Sequence, residues 1–231
     1  MNRDATTIIM SLGGSMVVPD HISVDFLKSF IGILDKHTRL GKKFYIIVGG
    51  GKTARVYQQA LKDLGAEGSD TLDWVGIYAT HLNAELVRLA CGDLAHDAVI
   101  KDPYTIPETH TPVIVYGGWK PGRSTDFAPV ILAESTGAGT VINLSNIAYV
   151  YDSDPRHNPH AQKFETITWP AYRALIPAEW TPGMSAPFDP TASLQAQELG
   201  VTVAVLHGAD LENLDRYLSG QDFEGTTIVP E

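Results

Sequence analysis

Short apolar runs alternate along this chain with longer segments in which apolar and polar residues are mixed. The apolar runs are rich in Val and Ile, and they predict strands over 6–12, 43–48, 97–100, 112–116, 139–144 and 201–206. Most of these runs are apolar throughout instead of alternating with polar residues. Continuous runs of this kind are typical of strands buried on both faces, so they indicate a mainly parallel sheet.

The segments between the apolar runs predict helices. They extend over 24–38, 52–64, 71–91, 125–136, 188–199 and 211–218. Ser23 is a candidate N-cap of the first helix, and Gly65 and Gly92 follow the second and third. Strands that alternate with helices predict a three-layer α/β/α sandwich with a mainly parallel central sheet. The segment 146–187 interrupts this order, because it is rich in Pro, His, Asn and Asp, and it predicts a hairpin with loops.

The predicted helix 71–91 has two distinct faces. Small or polar residues share one face at helical spacing, and they are Asp73, Gly76, Thr80 and Asn83. Apolar residues on another face are expected to pack on the sheet, and they are Val75, Ala79, Leu82, Leu86 and Leu89. The polar face is either solvated or suited to a ribose and a base, because its carboxylate, hydroxyl and amide groups can bond to both.

Composition narrows the classes of function. The 231 residues can form one large α/β domain, 1–231, and the formal net charge of −10 argues against binding to nucleic acid backbones. A small phosphorylated ligand remains compatible with this charge. No apolar run approaches the ~20 residues that cross a bilayer, so we expect no membrane span and a cytoplasmic location. The single cysteine, Cys91, is expected to be a core residue.

Three loops that follow predicted strands are rich in glycine, and we call them the glycine loops. They read "GGS" (13–15), "GGGKTAR" (49–55) and "GGWKPGRSTDFAP" (117–129). In α/β sheets, ligands bind outside the carboxyl ends of the strands, where these loops lie. Glycine lets backbone N–H groups approach an anion, and the helix that follows adds partial positive charge. The glycine loops therefore predict a site for phosphate groups.

Three local motifs suggest other kinds of site. The P-loop pattern fails at "GKT", because Ile46 occupies the place of its first glycine. The dinucleotide fingerprint matches Gly49, Gly51 and Ala54, with an acidic residue at the expected distance, so an oxidoreductase remains an alternative. His157 and His160 have a metal-like spacing, but no third ligand is nearby, and this favours an ordinary loop.

Seven motifs, taken in order, carry a family resemblance. They are "SLGGS", "VGGGKTAR", "DWVGIYATHLNA", "GGWKPGRSTDFAP", "SNIAYVYDSDP", "PGMSAPFDPTAS" and "GTTI". With them the chain resembles the uridine monophosphate kinases of the amino acid kinase superfamily, closest to the archaeal type, over nearly its whole length. The resemblance implies the amino acid kinase fold, with an acceptor-binding part over roughly 1–135 and an ATP-binding part over roughly 136–231.

The resemblance also implies two adjoining nucleotide sites. The implied UMP-binding residues are Gly50, Asp73, Trp119, Lys120, Pro121, Gly122, Arg123, Ser124 and Thr125. The implied ATP-binding residues are Gly14, Ser15, Gly51 and Arg55 for the phosphates, and Ser145, Asn146, Tyr151 and Asp154 for the ribose and adenine. The implied catalytic residues are Lys52, Arg55, Asp126 and Asp189. Mg²⁺ is expected to bind mainly through the ATP phosphates and not through side chains. The resemblance also implies a homo-oligomer, specifically a hexamer.

Two departures from the family pattern leave alternatives open. Ser11 stands where much of the superfamily has a lysine, and Ala148 and Tyr149 replace the usual Asp-Gly of the ATP loop. The alternatives are a related kinase for another small acid or phosphate, such as carbamate, an amino acid or isopentenyl phosphate, and a non-catalytic nucleotide-binding storage protein of the molybdenum storage type. The exposed apolar residues needed for an oligomer interface are expected on helix 24–38.

Overall fold

The computed structural model describes residues 6–66, 68–178 and 186–231. Within these ranges the strands are β1 (Thr7–Leu12), β2 (Lys43–Val48), β3 (Val113–Tyr116), β4 (Thr140–Ser145), β5 (Val150–Tyr151), β6 (Lys163–Phe164), β7 (Thr166–Thr168), β8 (Thr202–His207) and β9 (Thr226–Val229). The helices are α1 (Gly14–Val17), α2 (Val24–Arg39), α3 (Gly51–Asp63), α4 (Ser69–Cys91), α5 (Phe127–Thr136), α6 (Trp169–Leu175), α7 (Pro190–Leu199) and α8 (Leu211–Leu218).

Seven of these strands form one sheet in the order β3–β2–β1–β4–β8–β9–β7. The first five run parallel to one another, β9 is antiparallel to β8, and β7 is parallel to β9. The mainly parallel sheet and the three-layer fold are thus confirmed. The carboxyl ends of β3, β2, β1 and β4 lie side by side, so the loops that follow them share one edge of the sheet.

Helices cover both faces of the sheet because successive strand residues point to opposite sides. Ile9 faces the core that contains α5, α6 and α7, whereas Met10 faces the core that contains α2, α4 and α8. Continuous apolar strands are needed for this arrangement, and it explains why the strand runs do not alternate with polar residues. Cys91 is buried in the second core, and burial raises its pKa to about 11, as expected for a core residue.

Most predicted elements are confirmed, with two differences in the sheet. The predicted strand at 97–100 is wrong, because this segment makes only one isolated bridge, from Ile100 to Tyr116. The short strands β7 and β9 were missed, because "TIT" and "TTIV" lack the long apolar runs of the other strands. The predicted hairpin in 146–187 is confirmed by the antiparallel pair β5–β6.

The two faces of α4 differ from the prediction. Leu82 and Leu89 are 63% and 62% exposed, although they were expected to pack on the sheet. Thr80 and Asn83, from the polar face, are buried instead. The reason is that neighbouring loops supply hydrogen-bond partners to these polar groups, so their burial costs little. The side of α4 that packs in the core carries the smaller residues Ala84, Val87 and Cys91.

Among the described residues, no helix combines the length and the apolar character that a bilayer crossing requires.

Candidate active site

The first two glycine loops are packed backbone against backbone. A Cβ atom on Gly14 would lie 2.1 Å from the Gly51 nitrogen, and one on Gly49 would lie 2.6 Å from the Gly14 nitrogen. Gly51 also has a φ of +57°, in the left-handed region that favours glycine. The loops are further held by the Gly13 N–H, which donates to the Leu144 carbonyl at 2.9 Å. Close packing of two loops therefore explains these glycines, in addition to any role in anion binding.

Free backbone donors remain at the starts of the two helices that follow. The N–H groups of Gly14, Ser15 and Gly51 lie in the first turns of α1 and α3, where a helix offers them no acceptor. Arg55, one turn into α3, places its Nη1 atom 3.4 Å from the Ser15 Oγ atom. The structure thus brings three predicted phosphate-binding residues and a cation together. Lys52, in the first turn of α3, is paired with exposed Asp20, and its Nζ atom lies 3.9 Å from a carboxylate oxygen of that residue.

The third glycine loop is bonded to α4 at three places. The Gly122 N–H donates to Asp73 Oδ2 at 2.8 Å, and the Gly118 N–H donates to Thr80 Oγ1 at 2.6 Å. The Gly118 carbonyl accepts a hydrogen bond from His81 Nε2 at 2.8 Å. Asp73, predicted to bind a ribose, therefore also holds the backbone of the loop. Gly122 has a φ of +74°, which explains why a glycine is present there.

Five aromatic and cationic side chains of this loop region lie against one another. The Trp119 ring is nearly parallel to the Phe127 ring, with centroids 6.2 Å apart, and the edge of Tyr104 contacts it. Lys120 Nζ lies 3.8 Å from the Trp119 ring centre, and Arg123 lies 4.6 Å from that of Phe127. Both predicted loop cations thus rest on aromatic rings. The remaining loop positions Pro121 and Thr125 are half-buried.

Two carboxylates meet between the third glycine loop and α7. The Asp189 N–H donates to Asp126 Oδ2 at 3.2 Å, and the Ser124 hydroxyl donates to Asp189 Oδ2. Burial, together with the negative charge of Asp189, raises the pKa of Asp126 to about 7. Asp189 Oδ1 also caps α7 by accepting from the Ala192 N–H at 2.9 Å. Asp189 therefore caps α7 with one oxygen and bonds to the third glycine loop with the other.

Ser11 faces this carboxylate pair. Its side chain is only 3% exposed, and its hydroxyl lies 3.5 Å from Asp126 Oδ1. Ser11 stands where the family resemblance would have placed a lysine. A hydroxyl, unlike an ammonium group, leaves the Asp126 carboxylate without an ion pair, and this agrees with its raised pKa.

A cavity of about 490 Å³ opens beyond the end of β4, and we call it the β4 cavity. All four residues predicted for the ATP ribose and adenine line it, and they are Ser145, Asn146, Tyr151 and Asp154. Its other walls include Tyr149, Arg156, Leu175, Ile176 and Pro187. These four residues therefore come together at one cavity, although a short loop separates the first two from the last two.

Charges on the outer wall of the β4 cavity are paired locally. Asp154 binds Arg156, with Arg156 Nη2 at 2.8 Å, and this holds the pKa of Asp154 at about 2. His157 Nδ1 lies 3.2 Å from the same carboxylate. Across the described ranges, no group of three or more His, Cys, Asp or Glu side chains is placed to hold a metal ion. His157 and His160 lie in the loop between β5 and β6, where His157 contacts Asp154.

Three residues in contact with the site were missed from sequence. Thr80 and His81 bond to the third glycine loop, and Thr80 had been noted only as part of a polar face. The buried Tyr172 hydroxyl accepts from the Phe188 N–H at 2.7 Å and donates to the Phe188 carbonyl at 2.6 Å, directly before Asp189. Nothing in the sequence distinguishes Tyr172 from a core residue. The start of the motif "PGMSAPFDPTAS", 182–185, lies outside the described residues.

Known proteins share this arrangement. Residues 6–207 match the amino acid kinase family. The chain is 34% identical over 230 residues to the uridylate kinase of Methanospirillum hungatei, covering 96% of this chain and 94% of that protein. It is also 34% identical over 234 residues to the uridylate kinase of Thermoplasma volcanium, covering 96% and 97%. The crystal structure of uridylate kinase from Archaeoglobus fulgidus aligns with a TM-score of 0.82 at 28% identity, covering 96% of this chain and 99% of that one.

The matches extend over both the glycine loops and the β4 cavity, so they include every part of the candidate site. The order of the loops along the sheet edge and these nearly full-length matches lead to one conclusion: the chain belongs to the amino acid kinase family and, within it, to the uridylate kinases.

Proposed function

We propose that this protein transfers the γ-phosphate of ATP to UMP and so forms UDP and ADP in pyrimidine nucleotide biosynthesis. The observation that carries this proposal is the row of three glycine loops and the β4 cavity along one sheet edge, in a chain whose nearly full-length relatives are uridylate kinases. A dinucleotide oxidoreductase has no such support, since the loop that carries Gly49 and Gly51 lies in a chain whose nearly full-length relatives are uridylate kinases.

The reaction needs alignment more than a strong base. An oxygen of the UMP phosphate attacks the γ-phosphorus, the bond from that phosphorus to the bridging oxygen of ATP breaks, and ADP leaves. The attacking oxygen is already anionic, so no proton has to be removed from it. Neighbouring strands lie about 4.8 Å apart, so the row from β3 to β4 covers about 14 Å. Two nucleotides can lie along this row with their phosphates meeting in the middle.

On the donor side, we assign the adenosine part of ATP to the β4 cavity. Ser145, Asn146, Tyr151 and Asp154 would surround it, and the phosphates would extend to the N–H groups of Gly14, Ser15 and Gly51. Arg55 supplies a positive charge beside them. Mg²⁺ is part of the ATP substrate in this proposal, held mainly by phosphate oxygens.

On the acceptor side, we assign UMP to the third glycine loop together with Gly50 and Asp73. Trp119 and the segment 120–125 would face it. Lys120 and Arg123 would leave their aromatic rings for the phosphate, since a charged hydrogen bond is stronger than a surface cation–π contact. Asp126 and Asp189, with Lys52 and Arg55, would organise the reacting centre.

The proposal extends to the setting of the enzyme. We propose a single domain, 1–231, a cytoplasmic location, no nucleic acid partner, and a homo-oligomer, specifically a hexamer. On helix 24–38, Leu27, Phe30 and Leu34 are buried, whereas Val24 is 53% exposed. Exposed apolar side chains are more frequent on α4, where Trp74, Tyr78, Leu82 and Leu89 are 44–63% exposed.

An ADP-release assay across several acceptors tests the function. The purified protein with ATP and Mg²⁺ would be offered UMP, CMP, carbamate, glutamate and isopentenyl phosphate. We expect the highest kcat/KM with UMP, and UDP as its product. Preference for another acceptor would make the protein a related kinase. Tight nucleotide binding without turnover of any acceptor would instead favour the storage-type alternative.

A further inference from the structure

We propose that Thr80 and His81 are positioning residues that fix the third glycine loop on α4 and so set where the acceptor stands relative to the donor phosphates. This inference rests on the proposed function, which it makes more specific. His81 was not among the residues predicted to bind a ligand, and Thr80 was named only as part of the polar face of α4. Their role follows from which backbone atoms they hold.

Both backbone polar groups of Gly118 are bonded by two consecutive residues of one helix. Its N–H donates to Thr80 Oγ1 at 2.6 Å, and its carbonyl accepts from His81 Nε2 at 2.8 Å. Since a carbonyl can only accept, Nε2 carries the proton. Thr80 is itself oriented, because its hydroxyl donates to the Ile77 carbonyl at 2.6 Å and so presents a lone pair to the Gly118 N–H.

These bonds lie where water competes little for them. Thr80 is 6% exposed, and His81 is half-buried, with burial lowering its pKa below the usual range. A Cβ atom on Gly117 would lie 2.3 Å from His81 Cδ2, and one on Gly118 would lie 2.9 Å from Thr80 Oγ1. The double glycine thus permits the close approach that the two hydrogen bonds require.

The same helix also holds the second glycine loop. Asn83 Nδ2, one turn after Thr80, donates to the carbonyls of Gly49 and Gly50 at 2.9 and 3.0 Å. Two loops that follow different strands are therefore both hydrogen-bonded to one 23-residue helix. Because a helix is stiff over one turn, Thr80 and Asn83 keep a fixed spacing along α4. This fixed spacing helps to hold the two loops in a constant position relative to each other.

The consequence for catalysis concerns the acceptor. Gly118 immediately precedes Trp119, the first residue of the segment assigned to UMP. Small errors in placing a reactant are costly in a reaction that depends on alignment. Loss of either hydrogen bond should therefore weaken UMP binding and its alignment, while the β4 cavity, which these residues do not contact, keeps its affinity for ATP.

The test uses isosteric and conservative variants of the full chain. We expect Thr80→Val and His81→Leu each to raise KM for UMP by about tenfold while KM for ATP stays within about twofold. His81→Gln should restore most of the wild-type KM, because its amide can donate to the same carbonyl. Matched controls are Thr38→Val, which loses a similar bond to the Asp35 carbonyl in α2, and His110→Leu at an exposed site.

Hydrogen exchange provides a readout that does not depend on turnover. The Gly118 amide should exchange faster in Thr80→Val than in wild type or in Thr38→Val, with the fold checked by circular dichroism. Equal rises of both KM values, no better activity for His81→Gln than for His81→Leu, or unchanged exchange at Gly118 would each overturn the inference. Failure of the wild type to phosphorylate UMP would contradict the proposed function alone, because the exchange measurement still tests the contact.

Discussion

The glycine loops and the β4 cavity are built by different kinds of contact. In the loops, the hydrogen bonds His81–Gly118, Asp73–Gly122 and Ser11–Asp126 join residues 37 to 115 positions apart. At the outer wall of the cavity, 152–156, the bonds join residues only 1 to 10 positions apart, from Ser153–Asp152 to Gln162–Asp152. The loops are therefore fixed by the whole fold, whereas this outer wall is fixed mainly by its own short segment.

This difference corresponds to the two tasks of the proposed reaction. Alignment of the phosphates needs rigid loops, and the close packing of backbone against backbone makes these loops rigid. Binding of the adenosine part tolerates adjustment, and the outer wall of the cavity, 152–156, consists of half-buried or exposed side chains. We therefore expect changes in the loops to affect stability and catalysis strongly, and changes in the cavity wall to affect mainly the affinity for ATP.

The largest effect should come from a methyl group at the contact between two loops. Gly14→Ala would place Cβ 2.1 Å from the Gly51 nitrogen, so backbone must move, and we expect a loss of roughly 3 kcal/mol in unfolding free energy by urea denaturation. The matched control is Gly32→Ala in α2, which meets no atom within 4 Å and should raise stability by about 0.5–1 kcal/mol. Wild-type stability of Gly14→Ala would contradict the packed-loop description.

The second largest effect should be a dependence of the unfolding free energy on pH that comes from Asp126. The unfolded carboxyl loses its proton near its ordinary value of about 4, whereas the folded one keeps it up to about 7. Between these values the folded state binds more protons, so stability falls as pH rises. From about pH 5 to about pH 8, we expect the wild type to lose roughly 1–3 kcal/mol more than Asp126→Asn in urea unfolding. Parallel pH profiles for the two proteins would show that Asp126 is not the group responsible.

The third effect concerns the cation between the first two loops. Arg55→Ala should lower kcat/KM by at least about tenfold, or ~1.4 kcal/mol, because a positive charge beside the donor phosphates is removed. Steady-state kinetics with UMP and ATP would measure it. Arg39→Ala, which removes an exposed arginine paired with Asp35, should leave kcat/KM unchanged. A similar loss of kcat/KM in both variants would mean that the effect comes from the overall charge of the protein and not from the position of Arg55.

The smallest effect should come from the outer wall of the β4 cavity. Asp154→Asn removes the charge that pairs with Arg156, and we expect KM for ATP to rise by about two- to fivefold with kcat nearly unchanged. The melting temperature should move by less than about 2 °C, since exposed ion pairs contribute little. A large loss of stability, or an equal rise in KM for UMP, would remove the distinction between cavity and loops. Asp35→Asn serves as the control.

The sequence predicted the elements well where periodicity is strong. Five of the six predicted strands and all six predicted helices are present, with ends shifted by one or two residues. The segment 97–100 did not form a strand, because pairing depends on a neighbour at the right register, and only Ile100 finds one, at Tyr116. The inward face of α4 was misassigned because its helix packs under loops as well as against the sheet, and spacing alone does not reveal the loops.

The site was predictable to the extent that its residues follow strands. The four residues assigned to the adenosine part of ATP line one cavity, since they lie together after β4. The roles of the glycines were only partly foreseen. Gly14 and Gly51 permit two loops to touch, and Gly117 permits a loop to approach His81, and neither contact leaves a trace in the local sequence.

The sequence alone determined the layers, the strand-to-loop order and the chemical type of the site, because apolar periodicity and glycine position act locally. Only the tertiary structure decided that Asp126 and Asp189 share a hydrogen bond, that Ser11 faces them, and that one helix bonds to two loops. These contacts join residues far apart in the chain. Their geometry depends on how the layers pack, which no short stretch of sequence specifies.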